Sequence, residues 1–92
     1  MRDMNFRRLG SSGLVVSVVG LGCNNFGRKL DADGTREVVD AAFDAGITLF
    51  DTADMYGNRG GSETQLGEVL GDRRKDLVLA TKFGMAMDDA GM

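Results

Sequence analysis

The chain has 92 residues, enough for one small domain, of which 42% are hydrophobic and 27% charged, with a formal net charge of −3. This acidic balance argues against nucleic acid as a partner, because phosphate binding needs clustered Lys and Arg. No apolar run approaches the roughly 20 residues that span a bilayer, and the start of the chain lacks the features of a secretory signal, so a membrane role is also disfavoured.

The first part of the chain predicts a β-hairpin, a strand and a loop. Residues 5–9 alternate polar and apolar side chains, residues 10–13 form a Gly- and Ser-rich turn cluster, and the apolar residues 14–16 follow. The run 16–22 is rich in β-branched residues and ends in glycines, which indicates one buried strand. Residues 23–34 are mostly polar and are expected to form a loop.

A helix and a second strand are predicted next. Apolar residues recur at helical spacing between Val38 and Phe43. Gly46 suits the left-handed position that ends a helix, and residues 47–51 then form a short strand. The candidates for the helix N-cap are Asp31, Asp33 and Thr35.

The remainder predicts a second helix and a third strand. The helix is expected to begin near Ser62, with Gln65 at capping-box spacing, and to end at Gly71. Helix capping explains the Gly-Gly-Ser stretch there better than an anion site does. The charged run 72–76 reads as a solvated connection to a strand over residues 76–82, and a loop follows.

Alternating strands and helices indicate a parallel sheet with right-handed crossovers. Three strands cannot close a barrel and leave sheet edges uncovered, so we predict that residues 1–92 are the N-terminal part of a larger domain. A Rossmann domain would use Gly20 and Gly22 for pyrophosphate and Asp51 for ribose. Its third glycine is replaced by Asn25, and the helix does not open at the glycine turn, which disfavours that fold.

In a (β/α)₈ barrel, three polar residues would gather at the C-terminal face, where such enzymes place their chemistry: Asp51, Tyr56 and Lys82. The chain has no His and a single Cys, which removes His-based nucleophilic pairs and predicts no metal site. Reduction of a carbonyl needs a proton donor for its oxygen. A phenol is a weak donor, but a nearby ammonium stabilises its anion, and a carboxylate keeps that ammonium charged and in place.

Several motifs, in order and spacing from Phe6 to Lys82, resemble the aldo-keto reductase family. They are Gly20-Leu21-Gly22, Ala45-Gly46-Ile47, Phe50-Asp51-Thr52-Ala53-Asp54-Met55-Tyr56-Gly57, Gly61-Ser62-Glu63, Leu66-Gly67 and Ala80-Thr81-Lys82. The resemblance implies a (β/α)₈ TIM barrel, of which this chain holds the N-terminal hairpin, the first three strands and two helices. It also implies NADPH bound without a Rossmann domain, and a tetrad of Asp, Tyr, Lys and His.

By position in these motifs, the resemblance makes Tyr56 the general acid, Lys82 the group that tunes its acidity and Asp51 the partner of Lys82. The cofactor-binding residues that it implies are Gly22, Cys23, Asn24 and Asp51. The substrate is then a small carbonyl compound. The tetrad His would follow the fourth strand, which the chain does not contain, so these residues alone are expected to be inactive.

Structural interpretations stand beside these roles. Asp51 is also a reasonable turn residue, Tyr56 a packing residue, Lys82 a solvated strand end, and Cys23 a small core filler. A single Cys cannot form an internal disulfide, which is consistent with a cytoplasmic location. Two other functions also stay open: a cofactor-binding regulatory subunit, like the potassium-channel β subunits that resemble these enzymes, and a half-barrel that associates with itself.

Overall fold

A computed structural model describes residues 4–85 of the chain. In chain order its elements are β1 (Phe6–Arg8), β2 (Val15–Ser17), β3 (Gly20–Gly22), α1 (Ala32–Asp44), β4 (Leu49–Asp51), α2 (Tyr56–Leu70), a 3₁₀ helix (Gly71–Asp76) and β5 (Val78–Ala80). The predicted order of hairpin, strand, helix, strand, helix and strand is confirmed. The end of the loop predicted after residue 82 lies outside the described residues.

The hairpin pairs β1 with β2 in antiparallel register, with Phe6 opposite Ser17. The prediction of one buried strand over residues 16–22 is wrong, because β2 ends at Ser17 and β3 begins at Gly20. The buried Ser17 causes the break: its amide donates to Thr48 Oγ1 at 3.0 Å, and its hydroxyl donates to the carbonyl of Val19 at 2.6 Å. These bonds turn the chain and leave Val18 and Val19 half exposed.

The predicted parallel sheet is confirmed, in the strand order β3-β4-β5. Gly22 at the end of β3 pairs with Asp51 at the end of β4, which pairs with Ala80 at the end of β5. The carboxyl ends of all three strands therefore lie at one edge of the sheet. Gly20 and Gly22 belong to β3 itself rather than to a turn at a helix N-terminus, which excludes the Rossmann arrangement.

Both ends of α1 are closed by hydrogen bonds. Of the three predicted caps, Asp31 is the one used, and its carboxylate accepts from the amide of Gly34 at 2.9 Å. At the other end Gly46 has φ +86°, and its amide donates to the carbonyl of Phe43. The amide of Ile47 donates to the carbonyl of Ala42 at 2.9 Å. This Schellman motif ends the helix and reverses the direction of the chain, which then enters the sheet as β4.

One hydrophobic cluster joins the sheet to both helices. Phe50 at the centre of β4 is fully buried, and its ring packs at a tilt against Phe43 with centroids 5.8 Å apart. Each large apolar side chain buried in this way contributes about 1.5–3 kcal/mol. Its other buried members are Cys23, Phe26, Val39, Ala42, Leu66, Val69, Leu70 and Leu77. The cluster therefore fixes the sheet edge that carries Asp51.

The N-terminal part of α2 is not right-handed. Gly57, Asn58, Arg59 and Gly60 all have positive φ, at 75°, 60°, 69° and 120°, and regular helical geometry begins after them. The start predicted near Ser62 is therefore close, but the predicted capping box is wrong. Ser62 and Gln65 direct their side chains to other elements, since Ser62 donates to the carbonyl of Cys23 and Gln65 accepts from Thr35.

Beyond α2, the charged run predicted as a solvated connection forms the mostly exposed 3₁₀ helix. Arg73 is its anchor, with an ion pair to Asp40 at 2.8 Å and its guanidinium over the ring of Phe43. Among residues 4–85, neither helix is long and apolar enough to cross a membrane.

Candidate active site

Hydrogen bonds continue past the strand ends and keep the following segments side by side. The amide of Cys23 donates to the carbonyl of Asp51 at 2.9 Å, and that of Thr52 donates to Ala80 at 2.8 Å. The amide of Asp54 then donates to the carbonyl of Lys82 at 3.1 Å. This extension of the parallel ladder places Lys82, two residues past β5, beside the segment that leads from Asp51 to α2.

The ammonium of Lys82 is the centre of the site. Its Nζ lies 2.7 Å from Asp51 Oδ1 and donates to the carbonyl of Thr52 at 2.8 Å. It also lies over the ring of Tyr56, 4.9 Å from the centroid. The structure thus brings together the three residues to which the sequence assigned catalysis, on a surface where the Lys82 and Asp51 side chains stay half exposed.

The pKa of Lys82 is raised above its ordinary value of 10.5. The main cause is the hydrogen bond to the Asp51 carboxylate, and the side chain of Tyr56 adds to it. The residue is therefore a fixed positive charge at neutral pH.

Replacing Asp51 with Asn is expected to lower the pKa of Lys82 toward its ordinary value, because the amide keeps the shape of the carboxylate and loses its charge. An NMR titration of the Lys82 Cε and Nζ resonances measures this. Asp40→Asn is the matched control, since that carboxylate pairs with Arg73 instead. An unchanged Lys82 titration in Asp51→Asn would contradict the ion pair.

Tyr56 is held by the chain on both sides of it. Its amide donates to the carbonyl of Ala53 at 3.2 Å, and the left-handed turn begins at the next residue. Gly57 presses against the loop after β3: a Cβ there would overlap the carbonyl oxygen of Phe26 and lie 2.5 Å from the amide nitrogen of Ser62. The position that directly follows Tyr56 therefore accepts only glycine.

Two residues that the sequence did not single out as site residues connect the strand ends internally. Ser62 Oγ donates to the carbonyl of Cys23 at 2.8 Å and lies 2.7 Å from Thr52 Oγ1. Because the single Ser62 hydroxyl proton is used on Cys23, Thr52 must be the donor in the second bond. Both hydroxyl residues are fully buried, and the carbonyl of Thr52 also accepts from Lys82.

This chain of bonds ties α2 to the ends of β3 and β4, and through Thr52 to Lys82. Both hydroxyls lie inside the family motifs, at Asp51-Thr52 and Gly61-Ser62, but the sequence does not indicate the hydrogen-bond partner of either one. Their role in linking the strand ends follows from their burial and their hydrogen bonds in the structure.

The residues predicted to face the cofactor differ in exposure. Gly22 and Asn24 are exposed at the end of β3, and a Cβ on Gly22 would meet nothing within 4 Å. Cys23 between them is fully buried in the hydrophobic cluster. Its thiol does not reach the surface of the site, as the core-filler interpretation predicted.

Burial raises the pKa of the Cys23 thiol from 9.0 to about 12. At pH 8 the thiolate fraction is then about a thousand-fold lower than in the unfolded chain, and we expect reaction with a disulfide reagent to slow by at least that factor. Because only the unfolded thiol ionises between pH 9.0 and about 12, stability should also fall as the pH rises through that window. In the experiment with the disulfide reagent, the denatured chain, with its single Cys, is the control. Equal reaction rates in the two states would contradict the burial.

Among curated relatives, the chain is similar to "Uncharacterized oxidoreductase YqkF" of Bacillus subtilis (strain 168), with 42% identity over 86 residues, covering 94% of the chain and 27% of that protein. It is also similar to "Probable voltage-gated potassium channel subunit beta" of Oryza sativa subsp. japonica, with 36% identity over 96 residues, covering 97% and 29%. The chain therefore spans less than a third of the length of these relatives.

A solved structure shows the same architecture. The aldo-keto reductase AKR11C1 from Bacillus halodurans, in its holo form, matches with a TM-score of 0.84 and 41% identity, over 94% of this chain and 28% of that one. The described hairpin, strands and helices thus correspond to part of a (β/α)₈ barrel. The model of the aldo/keto reductase family matches residues 18–92, and the chain belongs to that family.

Proposed function

We propose that the protein reduces aldehydes and ketones to alcohols with NADPH, and that Tyr56 is the general acid. The observation that supports this most strongly is the Lys82 ammonium, held 2.7 Å from Asp51 and over the Tyr56 ring at the carboxyl ends of parallel strands. The family of the chain and the oxidoreductase name of a relative agree with this chemistry.

When bound, a nicotinamide cofactor would supply a hydride for the carbonyl carbon. Tyr56 donates its phenolic proton to the carbonyl oxygen, which becomes the hydroxyl of the alcohol. The Lys82 ammonium stabilises the negative charge left on the phenol oxygen, and Asp51 holds that ammonium in place. Water must later return a proton to Tyr56.

Three exposed groups at the sheet edge fit a cofactor beside this site: Gly22, Asn24 and the half-exposed carboxylate of Asp51. The open space above Gly22 leaves room for a flat ring against the backbone. We propose that these residues, with the backbone of Cys23, lie along the nicotinamide half of NADPH. The reaction would take place in the cytoplasm, where a lone thiol stays reduced.

The test is NADPH oxidation, followed at 340 nm, with an aromatic aldehyde as substrate. It uses the whole protein, including any sequence that adjoins these 92 residues. Aldehyde-dependent oxidation is expected. The 92 residues alone are expected to be inactive, because they contain no His and span 27% of the Bacillus subtilis relative. Absence of turnover by the whole protein across aromatic and aliphatic aldehydes would contradict the proposal.

The second candidate is a regulatory subunit that binds NADPH and acts on a partner. It is favoured by the relatives named as potassium channel β subunits in Oryza sativa and Arabidopsis thaliana, which are 36% and 35% identical to this chain. The same assay separates the two functions: tight NADPH binding in a calorimetric titration, without turnover, favours the regulatory subunit.

A further inference from the structure

An open groove of about 440 Å³ borders Tyr56 at the surface of the site. The residues that line it are Asn24, Arg28, Met55, Tyr56, Gly57 and Asn58. They supply a phenol, two amides, a thioether and one guanidinium, and no carboxylate is among them. The formal charge of the groove lining is therefore positive and comes from Arg28.

The loop that carries Arg28 is well fixed. The amides of Arg28, Lys29 and Leu30 all donate to the carbonyl of Asn25, at 3.2, 3.0 and 3.0 Å. The neighbouring Phe26 is only 2% exposed, in the hydrophobic cluster. These contacts fix the backbone of Arg28 between this groove and a neighbouring one lined by Lys29 and Asp31, and Arg28 lines both.

The guanidinium of Arg28 is also available to a ligand. Arg73 uses its guanidinium on Asp40, and Lys82 uses its ammonium on Asp51. Within residues 4–85, by contrast, the side chain of Arg28 makes no hydrogen bond or ion pair. An arginine stays charged at any physiological pH and presents a planar fork of donors that matches a carboxylate.

We propose that Arg28 is a specificity-determining residue that favours carbonyl substrates bearing a carboxylate at the far end of the molecule. This inference rests on the proposed reductase function. Tyr56 would receive the carbonyl oxygen at one point of the groove, and Arg28 would receive the carboxylate at another. Because Arg28 is exposed, we expect a preference of about two- to fivefold rather than strict selection.

The experiment compares kcat/KM for 4-carboxybenzaldehyde and for its neutral amide, 4-carbamoylbenzaldehyde, which has nearly the same shape. The wild-type whole protein is expected to prefer the carboxylate by about two- to fivefold, and Arg28→Met to reduce that ratio to about one. Lys29→Met is the matched control: this neighbouring cation lines a different groove and should leave the ratio unchanged. Because each ratio is internal to one variant, it does not depend on the amount of folded protein.

The result that overturns the inference is an equal kcat/KM for the two aldehydes in the wild type, or a preference that survives in Arg28→Met. A weaker NADPH affinity in Arg28→Met, with an unchanged ratio, would assign Arg28 to a cofactor phosphate and overturn it as well. If neither aldehyde is reduced, the proposed function fails. The role of Arg28 in carboxylate recognition is then tested separately, by ligand binding. Calorimetry should then show 4-(hydroxymethyl)benzoate binding more tightly than its amide, and equal affinities would overturn the inference.

Discussion

Replacing Tyr56 with Phe is expected to lower kcat for aldehyde reduction by about a thousand-fold, the range typical of a lost general acid. Phe keeps the ring that lies beneath the Lys82 ammonium and removes only the proton that the carbonyl oxygen must receive. The dissociation constant for NADPH should change by less than about twofold, because the hydroxyl acts on the substrate oxygen in the transition state. Steady-state assays at 340 nm and fluorescence titration with NADPH measure the two effects.

The control for Tyr56→Phe is another single hydroxyl deletion, Ser12→Ala, in the hairpin turn. That hydroxyl donates to the carbonyl of Leu9 at 2.6 Å on the exposed surface and should not affect kcat. Near-wild-type turnover in Tyr56→Phe would remove Tyr56 from the chemistry, and a water molecule or a residue of another segment would then have to donate the proton.

Gly57→Ala should destabilise the protein more than the same substitution at Gly13 or Gly67. The residue has φ +75°, which costs about 1–2 kcal/mol for an L side chain. The new Cβ would also overlap the carbonyl of Phe26 and crowd the amide of Ser62, an overpacking worth about 1–3 kcal/mol more. We therefore expect a loss of about 2–5 kcal/mol in guanidinium unfolding, together with lower turnover because Tyr56 moves with the turn.

Two other glycines separate these contributions. Gly13 has φ +87° and nothing within 4 Å of a Cβ, so Gly13→Ala should show the backbone cost alone, about 1–2 kcal/mol. Gly67 lies inside α2 with nothing near its Cβ, and Gly67→Ala should stabilise the helix by about 0.8–1 kcal/mol. If Gly57→Ala is no worse than Gly13→Ala, the contact between the loop after β3 and the turn after Tyr56 is not tight.

The sequence predicted the parts of this molecule that depend on local chemistry and on strand alternation. Asp31 and Gly46 closed α1 as their residue types suggested. The convergence of Asp51 with Lys82 followed from the rule that parallel strands end at one edge of a sheet. The roles of these residues in catalysis come from the family resemblance and stay predictions until variants are assayed.

The errors arose where long-range contacts overrode a local pattern. Ser62 and Gln65 have capping-box spacing, but the buried hydroxyl of Ser62 donates to the carbonyl of Cys23, and Gln65 accepts from the buried hydroxyl of Thr35 in α1. Ser17 interrupts a run of β-branched residues because Thr48, far along the chain, completes its hydrogen bonds.

The left-handed turn was also beyond sequence reasoning. Glycines 57 and 60 permit it, but Asn58 and Arg59 also adopt positive φ, a conformation that the residue type of Arg59 gives no reason to expect.

The most direct test of the account is the proximity of Lys82 to Tyr56 in solution. Tyr56 is the only Tyr, and the 92 residues contain no Trp or His, so with deuterated Phe its ring protons are the only carbon-bound aromatic protons of these residues. We predict nuclear Overhauser cross-peaks from this ring to the ε-methylene of Lys82, shifted upfield by the ring, and none to Lys29 or Lys75. Absence of the Lys82 cross-peaks, with an ε-methylene shift equal to those of the other lysines, would contradict the arrangement on which the proposed chemistry depends.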